Sequence, residues 1–286
     1  EILPPQKRVS EHWYQGTADA VYQNLYSIAQ ENPQHVIVLS GDHVYKMDYA
    51  KMLRFHKDRG AAVTLAAIEI PIHEAARFGV LSVGEHDRVT GFIEKSKHAP
   101  SIPGSPDLAL GSMGIYIFNT DVLLRALEAD AARPSSHDFG KDIIPALITE
   151  LSVFAYRFYD ENKKASKYWR DIGTLDAFFD ANMDLCGVDP EFNLYDPEWP
   201  MRTYQPQAPP AKFVFDDPDR RGAAIDSMVS GGCIISGSRV AHSLLFSNVR
   251  VAEHSTVHRS LVLPGASIGR RCHVQGTIID EGCELP

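Results

Sequence analysis

The 286-residue sequence has few cysteines, no basic excess and no long apolar run. Its four cysteines form no C-x-x-C pair and are too sparse for a disulfide scaffold, which favours free thiols in a reducing compartment. The 28 Lys and Arg residues stand against 37 Asp and Glu, and the net charge of -9 argues against a nucleic-acid partner. No stretch approaches the roughly eighteen consecutive apolar residues of a membrane span, so no membrane partner is predicted.

The acidic balance also restricts phosphate chemistry. A polyanionic substrate is costly to bind unless Lys, Arg or a metal ion reverses the field locally. Any such chemistry must therefore use a few cations inside a pocket. The apolar content of 44% and charged content of 23% are ordinary for a globular protein, and the length allows one large domain, alone or with a smaller one.

Short apolar runs alternate with helical patterns over the first two-thirds of the chain. Residues 17–30 predict one helix with Thr17 as its N-cap, and Val36–Leu39 predicts a strand covered on both faces. This alternation predicts an α/β fold with a mostly parallel, Rossmann-like sheet and helices on both faces. Ligands of such sheets bind at the carboxyl ends of the strands, where Asp42 falls.

The last third of the chain differs in proline content and in the spacing of its aliphatic residues. Seven prolines fall between residues 190 and 218, which predicts a connection between domains. Aliphatic residues then recur every 17 positions in three sets, with steps of five or six residues inside each repeat. A fixed period of this kind favours a left-handed parallel β-helix over a small β-sandwich. The nine positions are Ile234, Val251, Ile268, Val240, Val257, Val274, Leu245, Val262 and Ile279.

Several polar residues at predicted strand ends are candidates for chemistry. Asp42 in SGDH and Asp171 in YWRDIGT are candidate Mg²⁺ ligands, because Mg²⁺ prefers oxygen donors. Taken alone, an Asp after a strand is more often an N-cap or turn former than a metal ligand. A structural or surface role likewise explains His43 better than metal binding. Lys95 could neutralise a phosphate and Glu94 could bind sugar hydroxyls, whereas a solvated strand edge is the simpler reading of either one alone.

In order along the chain, these motifs resemble one family. The segments WYQGTADAV, SGDHVYK, FGV, FIEK, GSMGIYIFN, SSHDFGKDIIP and YWRDIGT are similar to those of ADP-glucose pyrophosphorylases. The proline-rich connection and the VSGGCIISGS entry to the repeats resemble that family too. The resemblance covers essentially all 286 residues. It implies a nucleotidyltransferase catalytic domain at 1–195, a linker at 196–226 and an incomplete left-handed β-helix domain at 227–286.

The resemblance also implies an activity and a set of site residues. The reaction would transfer the adenylyl group of ATP to glucose 1-phosphate, giving ADP-glucose and pyrophosphate for glycogen or starch synthesis. Asp42 and Asp171 would coordinate Mg²⁺, and Lys95 would act with them in one cleft as the third catalytic residue. A homotetramer assembled through the β-helix and regulated by metabolites is expected. The implied substrate-binding residues are Tyr14, Gly79, Glu94, Lys95, Ser112, Asp138 and Trp169.

Some features depart from the family pattern. The glycine-rich loop that cradles the ATP triphosphate is not found in the sequence, and both ends read as interrupted, so the chain alone is expected to be inactive. Ser96 stands where the family usually has Pro, and Gly111 where Ala is common. A cytoplasmic location is expected, with a plastid location left open.

Three other functions remain as alternatives. The nearest is a nucleotidyltransferase for another base or sugar. A second is a non-catalytic regulatory subunit, which the joint presence of Asp42, Lys95 and Asp171 disfavours. The third is a hexapeptide-repeat acyltransferase, although the histidines of the repeats lie in no recognisable acyl-transfer motif.

Overall fold

The computed structural model describes residues 13–96, 98–158 and 168–286. The chain divides into two compact units, which we call the sheet unit (1–41 and 47–159) and the solenoid unit (42–46 and 160–286). Among the described residues, no helix has the length and apolar character needed to cross a bilayer. The domain boundaries predicted at 195 and 226 stay a prediction.

The helices of the sheet unit are short. The single helix predicted over 17–30 is two helices, because the Asn24 side chain turns back to donate to the Ala20 carbonyl at 2.8 Å and interrupts the helical path. Thr17 is not the N-cap, since Gly16 occupies that position. The helices are α1 (Thr17–Tyr22), α2 (Leu25–Glu31), α3 (Tyr49–Asp58), α4 (Thr120–Ala131) and α5 (Ile144–Glu150), with 3₁₀ turns at Ile72–Arg77 and Glu85–Asp87 and a π-helical turn at Phe139–Ile143.

One mixed sheet organises the sheet unit, in the strand order β5-β4-β6-β3-β7 with β1 beside β6. Among the described residues of this sheet, β3 and β7 are the only paired strands that run parallel. This differs from the mostly parallel sheet that we predicted. The strands up to residue 171 are β1 (His35–Val38), β2 (His43–Tyr45), β3 (Val63–Pro71), β4 (Gly79–Val83), β5 (Val89–Glu94), β6 (Leu108–Asn119), β7 (Val153–Arg157) and β8 (Trp169–Asp171).

The direction of the strands follows from the connections between them. In the described part of the chain, no α-helix separates β4, β5 and β6, and strands joined without a crossover helix pair antiparallel, as β4 does with β5 and with β6. The core lies on β3 and β6, whose residues Val63, Leu65 and Phe118 have no measurable exposure. The strand predicted at 36–39 is instead partly exposed, with Ile37 at 37%, because β1 pairs with β6 alone among the described strands.

The repeats of the solenoid unit form a parallel β-helix, as the 17-residue spacing predicts. Its strands stack in three parallel sheets, with the orders β12-β15-β18-β21, β13-β16-β19-β22 and β23-β20-β17-β14-β9. The unit also contains the helix α6 (Leu175–Asp184). The strands are β9 (Lys212–Val214), β10 (Asp216–Asp217), β11 (Arg220–Arg221), β12 (Ala223–Ile225), β13 (Met228–Val229), β14 (Ile234–Ser236), β15 (Arg239–Ala241), β16 (Leu244–Leu245), β17 (Arg250–Val251), β18 (Thr256–His258), β19 (Leu261–Val262), β20 (Ser267–Ile268), β21 (His273–Gln275), β22 (Ile278–Ile279) and β23 (Glu284–Leu285).

The predicted register is wrong at one position. Val251 stacks on Ile268, 17 residues on, but its partner in the preceding coil is Ile235 rather than Ile234. Ile235 is 0% exposed, whereas Ile234 is only partly buried. The step from 235 to the next inward residue, Val240, is five residues, against six from 251 to 257. A corner one residue shorter therefore moves the inward position by one.

Buried serines join successive coils. The Ser238 hydroxyl accepts a hydrogen bond from the Ser255 amide at 2.9 Å, and the Ser243 hydroxyl accepts one from the Ser260 amide at 3.1 Å. All four serines are 3% exposed or less. They satisfy corner amides that the ladder hydrogen bonds do not reach.

Candidate active site

The two predicted metal ligands lie together in the solenoid unit. Strand β2 pairs antiparallel with β8, which places His43 directly opposite Asp171. The pairing continues beyond the strand ends, since the Ile172 amide donates to the Asp42 carbonyl at 2.9 Å. A two-strand ribbon thus brings together carboxylates that are 129 residues apart in the sequence.

The cluster has the donor chemistry of a divalent cation site. One ligand atom from each of Asp42, His43 and Asp171 lies within 4.8 Å of the other two. Gly173 faces both carboxylates, because a Cβ added there would meet Asp171 Oδ1 at 3.0 Å and Asp42 Oδ2 at 3.3 Å. Two carboxylates held this close repel one another unless a cation compensates, so the residues present fit a bound divalent metal ion.

His43 is the member of this cluster that sequence reasoning set aside. Its Nε2 is 3.6 Å from Asp42 Oδ1, and its side chain is 11% exposed. The ring packs edge-on against Trp169, with centroids 4.9 Å apart. Nothing local in the sequence distinguishes this histidine from a surface one, since its pairing with Asp171 is a long-range contact.

A buried ion pair fixes the far end of the same ribbon. Lys46 follows β2, its side chain is 1% exposed, and its Nζ lies 3.2 Å from Asp196 Oδ2. A buried ammonium without a carboxylate partner would be strongly destabilising. Lys46 therefore anchors the strand that carries His43 and follows Asp42.

A second group of residues meets in the sheet unit, and we call it the sugar-side cluster. It contains the predicted residues Gly79, Glu94, Ser112 and Asp138, together with Tyr116 and Gly140, which were not predicted. Glu94 ends β5 opposite Gly79. A Cβ added at Gly79 would lie 2.7 Å from Glu94 Oε2, and one added at Gly140 would lie 3.1 Å from the same oxygen. The two glycines therefore leave the space that the Glu94 carboxylate occupies.

Asp138 is held by backbone donors. Its Oδ1 accepts from the amides of Gly140 at 2.9 Å and Lys141 at 3.0 Å, at the start of the π-helical turn. Its Oδ2 accepts from the Thr17 hydroxyl at 3.2 Å. Asp138 thus caps this turn, and the cap fixes the carboxylate beside α1.

The cluster raises the pKa of two of its members. Burial raises the pKa of the Glu94 carboxyl above its ordinary value, and Asp138 adds to the rise while Lys95 and Lys141 oppose it. Burial raises the pKa of Tyr116 to about 12, with Asp138 and Glu94 contributing in the same direction. The two carboxylates and the phenol are thus electrostatically coupled.

Ser112 lies at an irregularity of β6. The pairing with β3 shifts register between Leu65 and Ala67, opposite Ser112–Tyr116. Gly114 has a φ of +66°, a left-handed conformation that favours glycine, and its amide donates to the Ser112 hydroxyl at 3.3 Å. A bulge of this kind re-aims side chains beside functional sites. The bulge accounts for Gly114 inside the motif GSMGIYIFN.

The remaining predicted site residues, Lys95, Tyr14 and Trp169, lie outside the two clusters. Lys95 is 66% exposed, with its Nζ 3.8 Å from Glu94 Oε1. The Tyr14 hydroxyl accepts from the Asn24 amide at 2.9 Å. Trp169 lies in β8 of the solenoid unit. The meeting of Lys95 with Asp42 and Asp171 in one cleft would join residues of both units and stays a prediction.

Sequence reasoning missed Tyr116, Gly140 and Lys141. All three lie inside motifs already singled out, GSMGIYIFN and SSHDFGKDIIP. Only their contacts with Glu94 and Asp138 distinguish them from structural residues of the same motifs.

Known proteins and families match this chain along its length. A family model described as nucleotidyl transferase matches residues 2–187, and one described as GlmU-like C-terminal hexapeptide matches residues 209–286. A glucose-1-phosphate adenylyltransferase of Methylococcus capsulatus is 55% identical over 100% of this chain and 68% of its own length. Enzymes of the same name from Nitrosococcus oceani and Teredinibacter turnerae are 53% and 54% identical over the same shares. This chain belongs to the glucose-1-phosphate adenylyltransferase family.

Proposed function

We propose that the protein transfers the adenylyl group of ATP to glucose 1-phosphate, giving ADP-glucose and pyrophosphate. The observation that carries the proposal is the adjacency of Asp42 and Asp171, with ligand atoms within 4.8 Å, in a chain of this family. The sugar-side cluster supplies what the second substrate needs, since its carboxylates and hydroxyls can bind sugar hydroxyl groups. The glycine-lined position of Glu94 and the backbone amides that hold Asp138 support this assignment.

Members of the nucleotidyl transferase family generally use a divalent metal. We propose Mg²⁺ as that ion, with Asp42 and Asp171 as its protein ligands, because both offer oxygen donors. When bound, the ion would supply positive charge to offset the phosphate oxygens of the substrates. The carboxylates hold it, and the β2–β8 ribbon fixes their spacing.

The sugar-side residues have separate proposed roles. Glu94, Ser112 and Asp138 bind hydroxyl groups of glucose 1-phosphate, and Gly79 leaves room for Glu94. Lys95 binds the phosphate, because its exposed ammonium at 3.8 Å from Glu94 is only weakly satisfied by that carboxylate. Tyr14 contributes apolar surface to sugar binding, and the substrate-binding role of Trp169 stays a prediction.

The proposed reaction needs little acid–base catalysis. A phosphate oxygen of glucose 1-phosphate attacks the α-phosphorus of ATP, the new P–O bond forms, and the bond to pyrophosphate breaks. The attacking oxygen is already anionic at neutral pH, so no strong general base is required. The protein's contribution is positioning and electrostatic stabilisation of two polyanions.

Replacement of a metal ligand tests the proposal. In the full-length protein, Asp42→Asn should lower kcat by about 100-fold or more, because a carboxylate that holds the cation loses its charge. ADP-glucose formation from ATP and glucose 1-phosphate is the assay. Asp217→Asn is the matched control, since Asp217 is an exposed carboxylate paired with Arg220 at 2.8 Å. Turnover of the Asp42 variant near that of the control would remove Asp42 from the mechanism.

Substrate comparisons separate this function from its alternatives. ATP should support synthesis better than UTP, GTP or TTP; a preference for another nucleotide would identify a different nucleotidyltransferase. Lys95→Ala should raise the KM for glucose 1-phosphate more than the KM for ATP. Equal effects on both substrates would contradict the role of Lys95. A purified protein without synthesis or pyrophosphorolysis would be a regulatory subunit.

The assembly and location are proposals as well. Phe213, Phe215 and Ile225 are 41–44% exposed in the solenoid unit, which supports subunit packing through the β-helix. We propose a cytoplasmic homotetramer in which residues 1–195 form the catalytic domain, 196–226 the linker and 227–286 the β-helix domain. Light scattering coupled to size-exclusion chromatography should give four times the subunit mass. A monomer at micromolar concentration would refute the assembly.

A further inference from the structure

A buried carboxylate lies next to the sugar-side cluster but outside it. Asp130, in the last turn of α4, is 3% exposed. The C-terminal end of a helix repels negative charge, and burial adds a desolvation cost, so this carboxylate needs partners. His137 Nδ1 lies 2.7 Å from Asp130 Oδ2, and the Ser135 hydroxyl donates to the same oxygen at 3.0 Å. An ionised carboxylate only accepts, so Nδ1 carries the hydrogen.

The backbone of His137 is in a conformation that favours glycine. Its φ is +52°, in the left-handed region where a side chain with a Cβ is strained. Glycine would relieve that strain but would lose the imidazole that reaches Asp130. The choice of histidine at this position indicates that the contact with Asp130 matters more than the relief of backbone strain.

The carbonyl of His137 docks the start of α1. It accepts from the Ala18 amide at 2.8 Å and from the Asp19 amide at 3.4 Å, two donors of the first helical turn without partners inside the helix. Gly16 makes this approach possible, because a Cβ there would lie 2.3 Å from the same oxygen. The segment after α4 and the segment that contains Tyr14 are thus locked together through one carbonyl.

The next residue in the chain is Asp138. Its Oδ2 accepts from Thr17 at 3.2 Å, and the Phe139 amide donates to the Thr17 hydroxyl at 3.1 Å. The position of Asp138 is therefore set from two sides, by the peptide that leaves His137 and by the first residue of the helix that His137 holds.

We propose that His137, anchored on buried Asp130, is a positioning residue for the glucose 1-phosphate side of the site; this rests on the proposed function. The imidazole touches no substrate. It holds the left-handed turn whose carbonyl docks α1, and so places Asp138 at the geometry that sugar binding requires. A displacement of about 1 Å in such a group is enough to weaken binding or turnover substantially.

Two substitutions separate the imidazole from the backbone. His137→Asn keeps a side-chain N–H donor at the position of Nδ1 and tolerates the left-handed conformation. His137→Gly relieves the backbone strain but removes the donor. In the full-length protein, we expect His137→Gly to raise the KM for glucose 1-phosphate about tenfold or more, with the KM for ATP changed less than about twofold. His137→Asn should stay near wild type. Arg133→Ala is the control, since Arg133 reaches Asp130 only at 3.5 Å and is 53% exposed.

Hydrogen exchange provides a readout that does not need catalysis. The Ala18 amide should exchange faster in His137→Gly and keep wild-type protection in His137→Asn. Unchanged exchange, an unchanged KM for glucose 1-phosphate, or an equal rise of both KM values in His137→Gly would overturn the inference. If the full-length wild type makes no ADP-glucose, the proposed function is wrong, and so is the role of His137 in sugar binding. The exchange rate of the Ala18 amide would still show whether the imidazole anchors the turn.

Discussion

Substitution of Gly16 by alanine tests whether the close approach of two segments holds the sugar side together. Gly16 has a φ of -175°, which any residue adopts, so the substitution creates no backbone strain. Its cost is steric. The new Cβ would lie 2.3 Å from the His137 carbonyl oxygen and 2.4 Å from the Ser136 carbonyl oxygen. Both are backbone atoms, which cannot rotate away as a side chain would.

The magnitude follows from these distances. Relief of the overlap requires a separation of about 1 Å, since nonbonded heavy atoms prefer about 3.5 Å. That displacement would stretch the hydrogen bond from Ala18 to His137, now 2.8 Å, beyond bonding distance and break the 3.4 Å bond from Asp19. Two lost hydrogen bonds at about 1 kcal/mol each, with some overpacking strain, give a destabilisation of about 2–4 kcal/mol. In a chain of this size we expect Tm to fall by about 3–7 °C.

Thermal unfolding of the full-length protein, followed by intrinsic fluorescence, is the assay. Gly84→Ala is the matched control, because a Cβ there meets Thr90 Cγ2 at 3.4 Å, an ordinary contact, and Gly84 has a φ of -100°. Its Tm should stay close to that of the wild type. If Gly16→Ala melts with the control, the two segments do not pack as described, and the docking of α1 on His137 is wrong.

Two further predictions follow from burial. Glu94→Gln should stabilise the folded protein at neutral pH while weakening glucose 1-phosphate binding. Burial raises the pKa of Glu94 in the folded protein above its ordinary 4.5. Above the folded-state pKa, the ionised carboxylate therefore lowers the free energy of unfolding. This loss of stability disappears as the pH falls towards 4.5, because Glu94 is then protonated in the folded state. Chemical denaturation at several pH values should show the advantage of the variant shrinking at low pH; a constant difference would contradict this. In the β-helix, Ile235→Ala should lower the free energy of unfolding by about 2–5 kcal/mol, and Ile234→Ala should lower it much less, because Ile235 is fully buried and Ile234 is not. Chemical denaturation measures both values. Equal losses would mean that Ile234 is the inward residue, as the 17-residue spacing predicted.

The site illustrates how far local patterns reach. Asp42, Asp171 and Glu94 were candidates because ligands of α/β sheets bind at strand ends, and the family resemblance favoured them over turn, cap or edge roles. The motifs gave no reason to choose His43, whose role depends on the strand that it pairs with. Tyr116 was hidden for a similar reason, because its raised pKa comes in part from Asp138 and Glu94, 22 residues away in each direction along the chain.

The sequence by itself determined the β-helix and the family, because the first follows from short-range periodicity and the second from contiguous motifs. The tertiary structure decided strand direction, the register at Ile235 and the residues that meet Asp42 and Glu94. Local hydrophobic patterns predict that a residue is buried, but they do not predict which residue it packs against. The partner depends on connection lengths and corner geometry, such as the one residue missing between Ile235 and Val240, and these act only when the whole chain is folded.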